Sequence, residues 1–310
     1  MSPEHQASDI LARLAADGVE ATRLCADSRQ VLAGDIFVAY PGHRADGRRY
    51  IVDAVHAGAS AVLWEREGYQ WNEAVDVPNV PVFGLAHLSG YIADEFYGRP
   101  SQALWTVGVT GTNGKTSVTQ WLARAYAQLG RRCGLIGTLG IGFPGQLSAT
   151  LNTTPDALTV HRALADIRDQ GGQAVAMEVS SIGLDQARLN GVRIDVAVFT
   201  NLTHDHLDVH GSPEAYLALR SQFAKTLANF NVCSYILGIA SYNAGPGTVR
   251  KWLNQFGSPP KTLEGSINWI ESIPFTETRN YVQRVLENVQ VYRTFAQPEA
   301  PPTLDKDLVR

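Results

Sequence analysis

The chain has 310 residues, 45% apolar and 18% charged, with 26 basic against 30 acidic side chains for a net charge of −4. That composition describes a globular chain with room for more than one domain, and it excludes a disordered protein or a default nucleic-acid binder. No apolar run reaches the ~20 residues of a membrane span, the opening Met-Ser-Pro-Glu-His-Gln lacks the blocks of a secretory signal, and Cys25, Cys133 and Cys233 make neither a disulfide framework nor a zinc site; the expected location is cytoplasmic, without membrane or nucleic-acid partners.

The first hundred residues alternate short apolar runs with helical patterns. Residues 35–40 read as a strand, 49–57 as a helix, 60–64 as a strand and 85–97 as a helix stopped by Gly98-Arg99-Pro100. From Leu104 the alternation sharpens. Residues 104–109 predict a strand, 115–129 a helix, 133–137 a strand, 155–170 a helix, and 173–178 and 194–200 two further strands. Strands alternating with helices imply a parallel sheet covered on both faces. After Ser212 the strand signal stops, and 213–230, 234–242, 248–256 and 276–295 read as helices before a proline-rich tail at 297–302.

Composition changes in the same place. All eight histidines lie between His5 and His210, whereas asparagine is concentrated in the last 85 residues. The shift suggests two unrelated segments joined near residue 220.

Between the strand at 104–109 and the helix that follows lies Gly108-Val-Thr-Gly-Thr-Asn-Gly-Lys-Thr116. This is the context of a phosphate loop, in which backbone N–H groups and a helix N-terminus converge on phosphate oxygens. Thr110, Gly111, Thr112, Asn113, Gly114, Lys115 and Thr116 are the candidate ATP-binding residues. Lys115 would reach the β- and γ-phosphates, and the Thr116 hydroxyl would face Mg²⁺. Val109 stands where the strict pattern has glycine, so the loop is a variant. Glu178 ends an apolar strand in the same sheet, where a carboxylate can share Mg²⁺ with Thr116 because that ion takes hard oxygen ligands.

The loop resembles that of the Mur ligases, which add amino acids to the UDP-N-acetylmuramic acid peptide of the cell wall. Asp27-Ser28-Arg29, Pro41-Gly42-His43-Arg44-Ala45-Asp46-Gly47, Asn152-Thr153-Thr154-Pro155, Glu178-Val-Ser-Ser181 with Gly183-Leu184, Gln186-Ala-Arg188, and Asn201-Leu-Thr-His-Asp-His-Leu-Asp208 follow in order. Over residues 8–220 they are similar to the branch that adds the third residue, the MurE branch. The resemblance implies that Ser28, His43, Arg44 and Ala45 meet the UDP end of the precursor. It places Asn152, Thr153, Thr154, Ser180, Gln186 and Arg188 on the muramoyl-dipeptide, and it gives His206, with Lys115 and Glu178, a catalytic or metal-holding part. Arg188 has the fork to grip a carboxylate. Implied cofactors are ATP and Mg²⁺; implied partners are the UDP-MurNAc-dipeptide and an amino acid, with meso-diaminopimelate as the expected one.

Two departures from the family stand in the sequence. Tyr216-Leu-Ala-Leu-Arg220 occupies the place of a Tyr-x-x-x-Lys pattern whose lysine becomes a metal-binding carbamate, and arginine stays a cation there. The Asp-Asn-Pro-Arg motif of the family's third domain does not occur. Instead Tyr242-Asn-Ala-Gly-Pro246, Trp269-Ile-Glu-Ser-Ile-Pro-Phe275 and Glu277-Thr-Arg-Asn-Tyr-Val282 resemble the end of a soluble lytic transglycosylase over 223–295. That resemblance implies groove contacts at Tyr242 and Asn243 and a peptidoglycan contact, without the family's general acid; Glu271 belongs to a different motif.

The expected fold is α/β: an N-terminal α/β domain at 1–100 and a central P-loop parallel-sheet domain at 101–222. A short all-α lysozyme-like fragment follows at 223–296, with a tail at 297–310. The expected function is ATP-dependent amide ligation on the wall precursor, weakened by Arg220 and the missing third domain. The alternatives are a peptidoglycan-binding relative of the transglycosylases and a non-catalytic module binding nucleotide or muramoyl-peptide.

Overall fold

The computed structural model describes residues 2–42, 45–200, 240, 244, 246–260, 262–296, 304 and 308. The chain divides into two compact units, Met1–Leu202 and Thr203–Arg310. The helices expected at 213–230 and 234–242 lie outside the described residues.

The first unit opens with α1 (Pro3–Ala16), which sequence periodicity did not single out. Its start is well specified: the Ser2 side chain accepts from His5 N–H at 3.3 Å, and Pro3 occupies the first turn, where a missing N–H costs nothing. Strands β1 (Leu24–Cys25), β2 (Ile36–Ala39), β3 (Ala61–Glu65) and β4 (Asn79–Val82) then form a parallel sheet in that order. Side chains alternate across it. Ile36, Val38, Ala61 and Leu63 pack with Leu14 of α1 and with Leu85, Leu88 and Ile92 of α3 (Leu85–Phe96). Phe37, Ala39, Val62 and Trp64 face the other way, onto Ile51 and Ala54 of α2 (Ile51–His56). Two buried faces explain why β2 and β3 read as unbroken apolar runs. The helix expected at 49–57 begins instead as a 3₁₀ turn, Gly47–Tyr50, capped by Asp46.

The second sheet contains β5 (Trp105–Thr110), β6 (Cys133–Gly137), β7 (Gly140–Phe143), β8 (Gln146–Ser148), β9 (Ala174–Glu178) and β10 (Val196–Phe199), in the order β10-β5-β9-β6-β7-β8. The first four in that order are mutually parallel. The expected parallel sheet needs one correction: β7 and β8 add an antiparallel hairpin at its edge. β7 alternates only Ile141 and Phe143 between glycines and β8 is three residues long, too little to announce a strand. Helix α4 (Lys115–Gln128) packs on β6 and β9. Helix α5 (Ala157–Asp169) starts from an Asp156 cap and packs on α3 of the first sheet. The short α6 (Ser181–Asp185) follows β9.

In the second unit α7 (Pro246–Phe256), α8 (Leu263–Glu271) and α9 (Thr276–Ala296) are helical. Trp252, Trp269, Ile270, Ile273, Val282 and Leu286 form a buried cluster, and Trp269 Nε1 donates to Gly257 O at 2.8 Å. The architecture is therefore α/β with a phosphate-loop sheet, followed by a helical C-terminal region. Among the described residues no helix is long and apolar enough to cross a membrane.

Candidate functional site

Strand β5 ends at Thr110 and α4 starts at Lys115, so the loop between them sits at the C-terminal edge of the parallel strands, where open α/β sheets bind ligands. Gly114 takes the helix N-cap with φ 84°, a left-handed conformation suited to glycine. Lys115 Nζ donates to Gly111 O at 2.7 Å and to Thr112 O at 3.0 Å, so the ammonium lies over its own loop. Thr200, at the end of β10, closes the other side: its hydroxyl donates to Asn113 O at 2.5 Å.

Glu178 is 2% exposed at the end of β9. Its carboxylate accepts from Thr116 Oγ1 at 2.9 Å, Thr138 N–H at 2.9 Å and Thr138 Oγ1 at 3.2 Å. A Cβ on Gly137 would stand 2.3 Å from Glu178 Oε1, so only glycine leaves room for the carboxylate. Thr116 and Glu178 thus present hard oxygens side by side, a donor set that would suit Mg²⁺.

The Asn152–Pro155 and 178–188 motifs meet on the same edge. Thr154, fully buried, donates to Glu178 O at 2.9 Å and accepts from Ser180 N–H at 2.9 Å. Ser180 caps α6 through Gly183 N–H at 3.0 Å. Thr153 Oγ1 lies 3.1 Å from Thr138 Oγ1 and can donate to it while Thr138 donates to Glu178, and Asn152 is exposed. The Arg188 guanidinium is engaged within the protein. It donates to Gln186 Oε1 at 2.5 Å and 3.0 Å and to Thr154 O at 2.5 Å. Its own loop is the nearest acceptor source, so Gln186 and Arg188 form one unit. Burial pulls the Arg188 pKa down from its ordinary value, against the fields of Asp156 and Tyr40.

Tyr40 and Asp156 escape motif reading. Tyr40 follows β2 and lies in the fields of Asp156 and Arg188. Burial pushes its phenol up to about 12, with Asp156 adding to the rise. The phenol therefore stays a neutral donor beside the Arg188 guanidinium. Thr138, which follows β6 beside β9, belongs to no motif of the sequence.

Ser28 sits in a 3₁₀ turn, Ser28–Gln30, capped by Asp27, whose carboxylate accepts from Arg29 Nη2 at 2.7 Å. Ala45 is exposed, and its carbonyl accepts from Gly42 N–H at 2.8 Å. His43, Arg44, His206, Tyr216, Arg220, Tyr242 and Asn243 lie outside the described residues. Glu271 is exposed and accepts from Gln283 Nε2 at 2.8 Å.

Comparison with known proteins agrees with this arrangement. Residues 109–255 match the Mur ligase middle domain, 20–97 the Mur ligase family catalytic domain, and 272–300 the soluble lytic transglycosylase helical domain. The UDP-N-acetylmuramoyl-L-alanyl-D-glutamate–2,6-diaminopimelate ligase of Pseudomonas syringae pv. tomato is 54% identical over 199 residues, 64% of this chain and 41% of that protein. The ligase of the same name from Chromobacterium violaceum is 53% identical over 200 residues, again 64% and 41%. A solved ligase of that name superposes with TM-score 0.54 at 33% identity, covering 66% of this chain and 40% of its own. This chain thus carries Mur ligase domains and spans about two fifths of the length of the curated relatives it matches.

Proposed function

We propose that this chain binds a UDP-muramoyl dipeptide and ATP with Mg²⁺ at the edge of the second sheet, as part of an ADP-forming amide ligation that adds a third residue to that precursor. The observation that carries the reading is the hydrogen bond from Thr116 to Glu178. It sets a phosphate-loop hydroxyl and a buried strand-end carboxylate side by side.

In this reading the backbone N–H groups of residues 111–116 hold the phosphates, and Lys115 leaves its loop carbonyls for the more strongly charged phosphate oxygens. Thr116 and Glu178 would hold Mg²⁺, which supplies charge neutralisation on the transferring phosphoryl group. The dipeptide carboxylate attacks the γ-phosphorus, ADP leaves, and an acyl phosphate forms. The incoming amine then displaces phosphate from the acyl carbon and gives up its proton. Arg188, Gln186, Thr153 and Ser180 orient the dipeptide, and the neutral Tyr40 hydroxyl can donate to it without adding charge. His206, Ser28, His43, Arg44, Ala45 and Asn152 keep the binding roles that family resemblance assigns them, and meso-diaminopimelate is the proposed amine. The proposed domain limits are 1–100, 101–222 and 223–296, in a cytoplasmic protein.

The test is ADP release by purified protein given MgATP, UDP-MurNAc-L-Ala-D-Glu and either meso-diaminopimelate or L-lysine. Amino-acid-dependent release above an Arg188→Ala control supports ligation. A second reading, binding without turnover, is favoured by Arg220, a fixed cation where the family has a carbamate-forming lysine. Saturable binding of nucleotide and precursor without ADP release would select it. Contact of the C-terminal helices with peptidoglycan is a separate proposal, checked by co-sedimentation with purified wall.

A further inference from the structure

Thr138 stands between the two halves of the site. It follows β6 at the sheet's ligand edge and is exposed. Its N–H donates to Glu178 Oε1 at 2.9 Å, and its hydroxyl lies 3.2 Å from Glu178 Oε2. On its other side the same hydroxyl lies 3.1 Å from Thr153 Oγ1. Thr153 is kept within reach by its neighbour, since buried Thr154 is bonded to Glu178 O and to Ser180 N–H. One exposed hydroxyl therefore touches both the carboxylate proposed for Mg²⁺ and a residue proposed for the dipeptide.

A threonine hydroxyl has one proton and two lone pairs, so Thr138 serves one of its two acceptors at a time. A carboxylate attracts that proton more strongly than a neutral hydroxyl does. In the empty site Thr138 thus donates to Glu178, and Thr153 donates to Thr138. With its only proton directed at Thr138, Thr153 faces a ligand with lone pairs alone, the wrong sign for a carboxylate. Glu178 Oε2 also accepts from Thr116 at 2.9 Å, which fills both of its lone-pair sites. A cation at that oxygen has to take the place of one donor. Thr116 lies in the first turn of α4 and is itself one of the oxygens that suit the cation. The Thr138 contact is the longer of the two and comes from the exposed side chain, so Thr138 is the donor that yields. Its N–H keeps Oε1 in place.

We propose that Thr138 is a positioning residue that couples the two ligand sites through a reversible pair of hydroxyls. With a cation at Oε2, the Thr138 hydroxyl turns from Glu178 to Thr153 Oγ1, and the Thr153 proton turns toward the dipeptide. Both hydroxyls keep their protons, and no covalent bond forms or breaks. Thr153 becomes a donor where the precursor presents carboxylate and amide oxygens. MgATP therefore tightens precursor binding, and by linkage the precursor tightens MgATP binding by the same factor. The inference rests on the proposed reading of Thr116 and Glu178 as the metal–nucleotide site and of Thr153 as a dipeptide contact.

The test measures affinity rather than turnover, on the full chain. Titration calorimetry follows UDP-MurNAc-L-Ala-D-Glu into the protein alone and into protein saturated with Mg²⁺ and a β,γ-imido analogue of ATP, which cannot be cleaved. The parent is expected to bind the precursor about tenfold more tightly with the nucleotide present. Thr138→Val keeps the N–H bond and the side-chain shape but has no hydroxyl to turn, and its enhancement is expected to fall below about twofold. Thr138→Ser restores the hydroxyl and is expected to restore most of the factor. If Thr138 only held Glu178 in place, its loss would change nucleotide affinity and leave the ratio of the two precursor affinities intact. An undiminished ratio in Thr138→Val overturns the coupling, as does a ratio near one in the parent. In both cases binding of the two ligands leaves the proposed function standing. A parent that fails to bind either ligand overturns the proposed function, and the coupling with it.

Discussion

Thr116 and Glu178 lie 62 residues apart in sequence and 2.9 Å apart in space. The hydroxyl comes from the first turn of the phosphate-loop helix and the carboxylate from the end of the neighbouring strand. Thr138 completes the group with two more donors to the same carboxylate. Three donors on one buried carboxylate hold it in place before any cation arrives, which is the kind of preorganisation a metal–nucleotide site uses.

Glu178→Gln keeps the shape and most hydrogen bonds but removes the charge. Mg²⁺-dependent ATP binding, measured by titration calorimetry with and without the metal, should weaken at least about tenfold. Stability should fall by only about 1 kcal/mol, because the Thr116 and Thr138 hydroxyls can rotate to accept from the new amide. Equal ATP affinity in the two proteins would remove Glu178 from the site.

Gly90→Ala tests the docking of α3 onto the turn after α6. On an exposed helix this change would stabilise by up to about 1 kcal/mol. Here the new methyl meets the Asn190 backbone, so a cost of about 2 kcal/mol is expected. A thermal melt should show it as a midpoint lowered by roughly 4–8 °C. A raised midpoint would mean that the two sheets are not joined there.

Asp35 sets an acid limit on the first sheet. Burial pushes its carboxyl up, but the hydrogen bond from Arg23, the Leu32 N–H and the Arg23 charge together bring it below its ordinary value. A carboxyl depressed in the folded state stabilises above the unfolded pKa, about 3.9 for Asp, and that contribution is lost as pH falls through the folded value. Denaturant midpoints of the parent and of Asp35→Asn should therefore differ by a constant amount above about pH 5 and converge below about pH 4. A gap that widens in acid would contradict the assignment.

Much of this molecule is legible in its sequence where one local rule suffices. The strand, glycine loop and helix at 104–129 announce themselves because each element is specified by its own residues. Glu178 could be placed because a charge ending an apolar strand has one natural position, the sheet edge. The β7–β8 hairpin could not, since its strands are four and three residues long and half of β7 is glycine, a residue of low strand propensity. Tyr40 and Asp156 were missed for another reason. Nothing local distinguishes a tyrosine that follows a strand or an aspartate that caps a helix. Asp156 comes near Arg188 through the turn after α6, which bonds Thr154, and Tyr40 comes near it from the other sheet. The engaged state of Arg188 was likewise invisible: sequence shows its fork, while the Gln186 and Thr154 oxygens that occupy it are brought there by α6 and its turn.

The close fit of Gly90 against Asn190 limits how this protein can be taken apart. The four-stranded sheet cannot be treated as an interchangeable cassette, because α3 carries half of a lock whose other half belongs to the turn beside Arg188. A hybrid that exchanges residues 1–100 with a distant relative would have to import the matching 187–193 turn. Divergence at these positions should therefore proceed in concert, and recombination between relatives should succeed where both segments travel together.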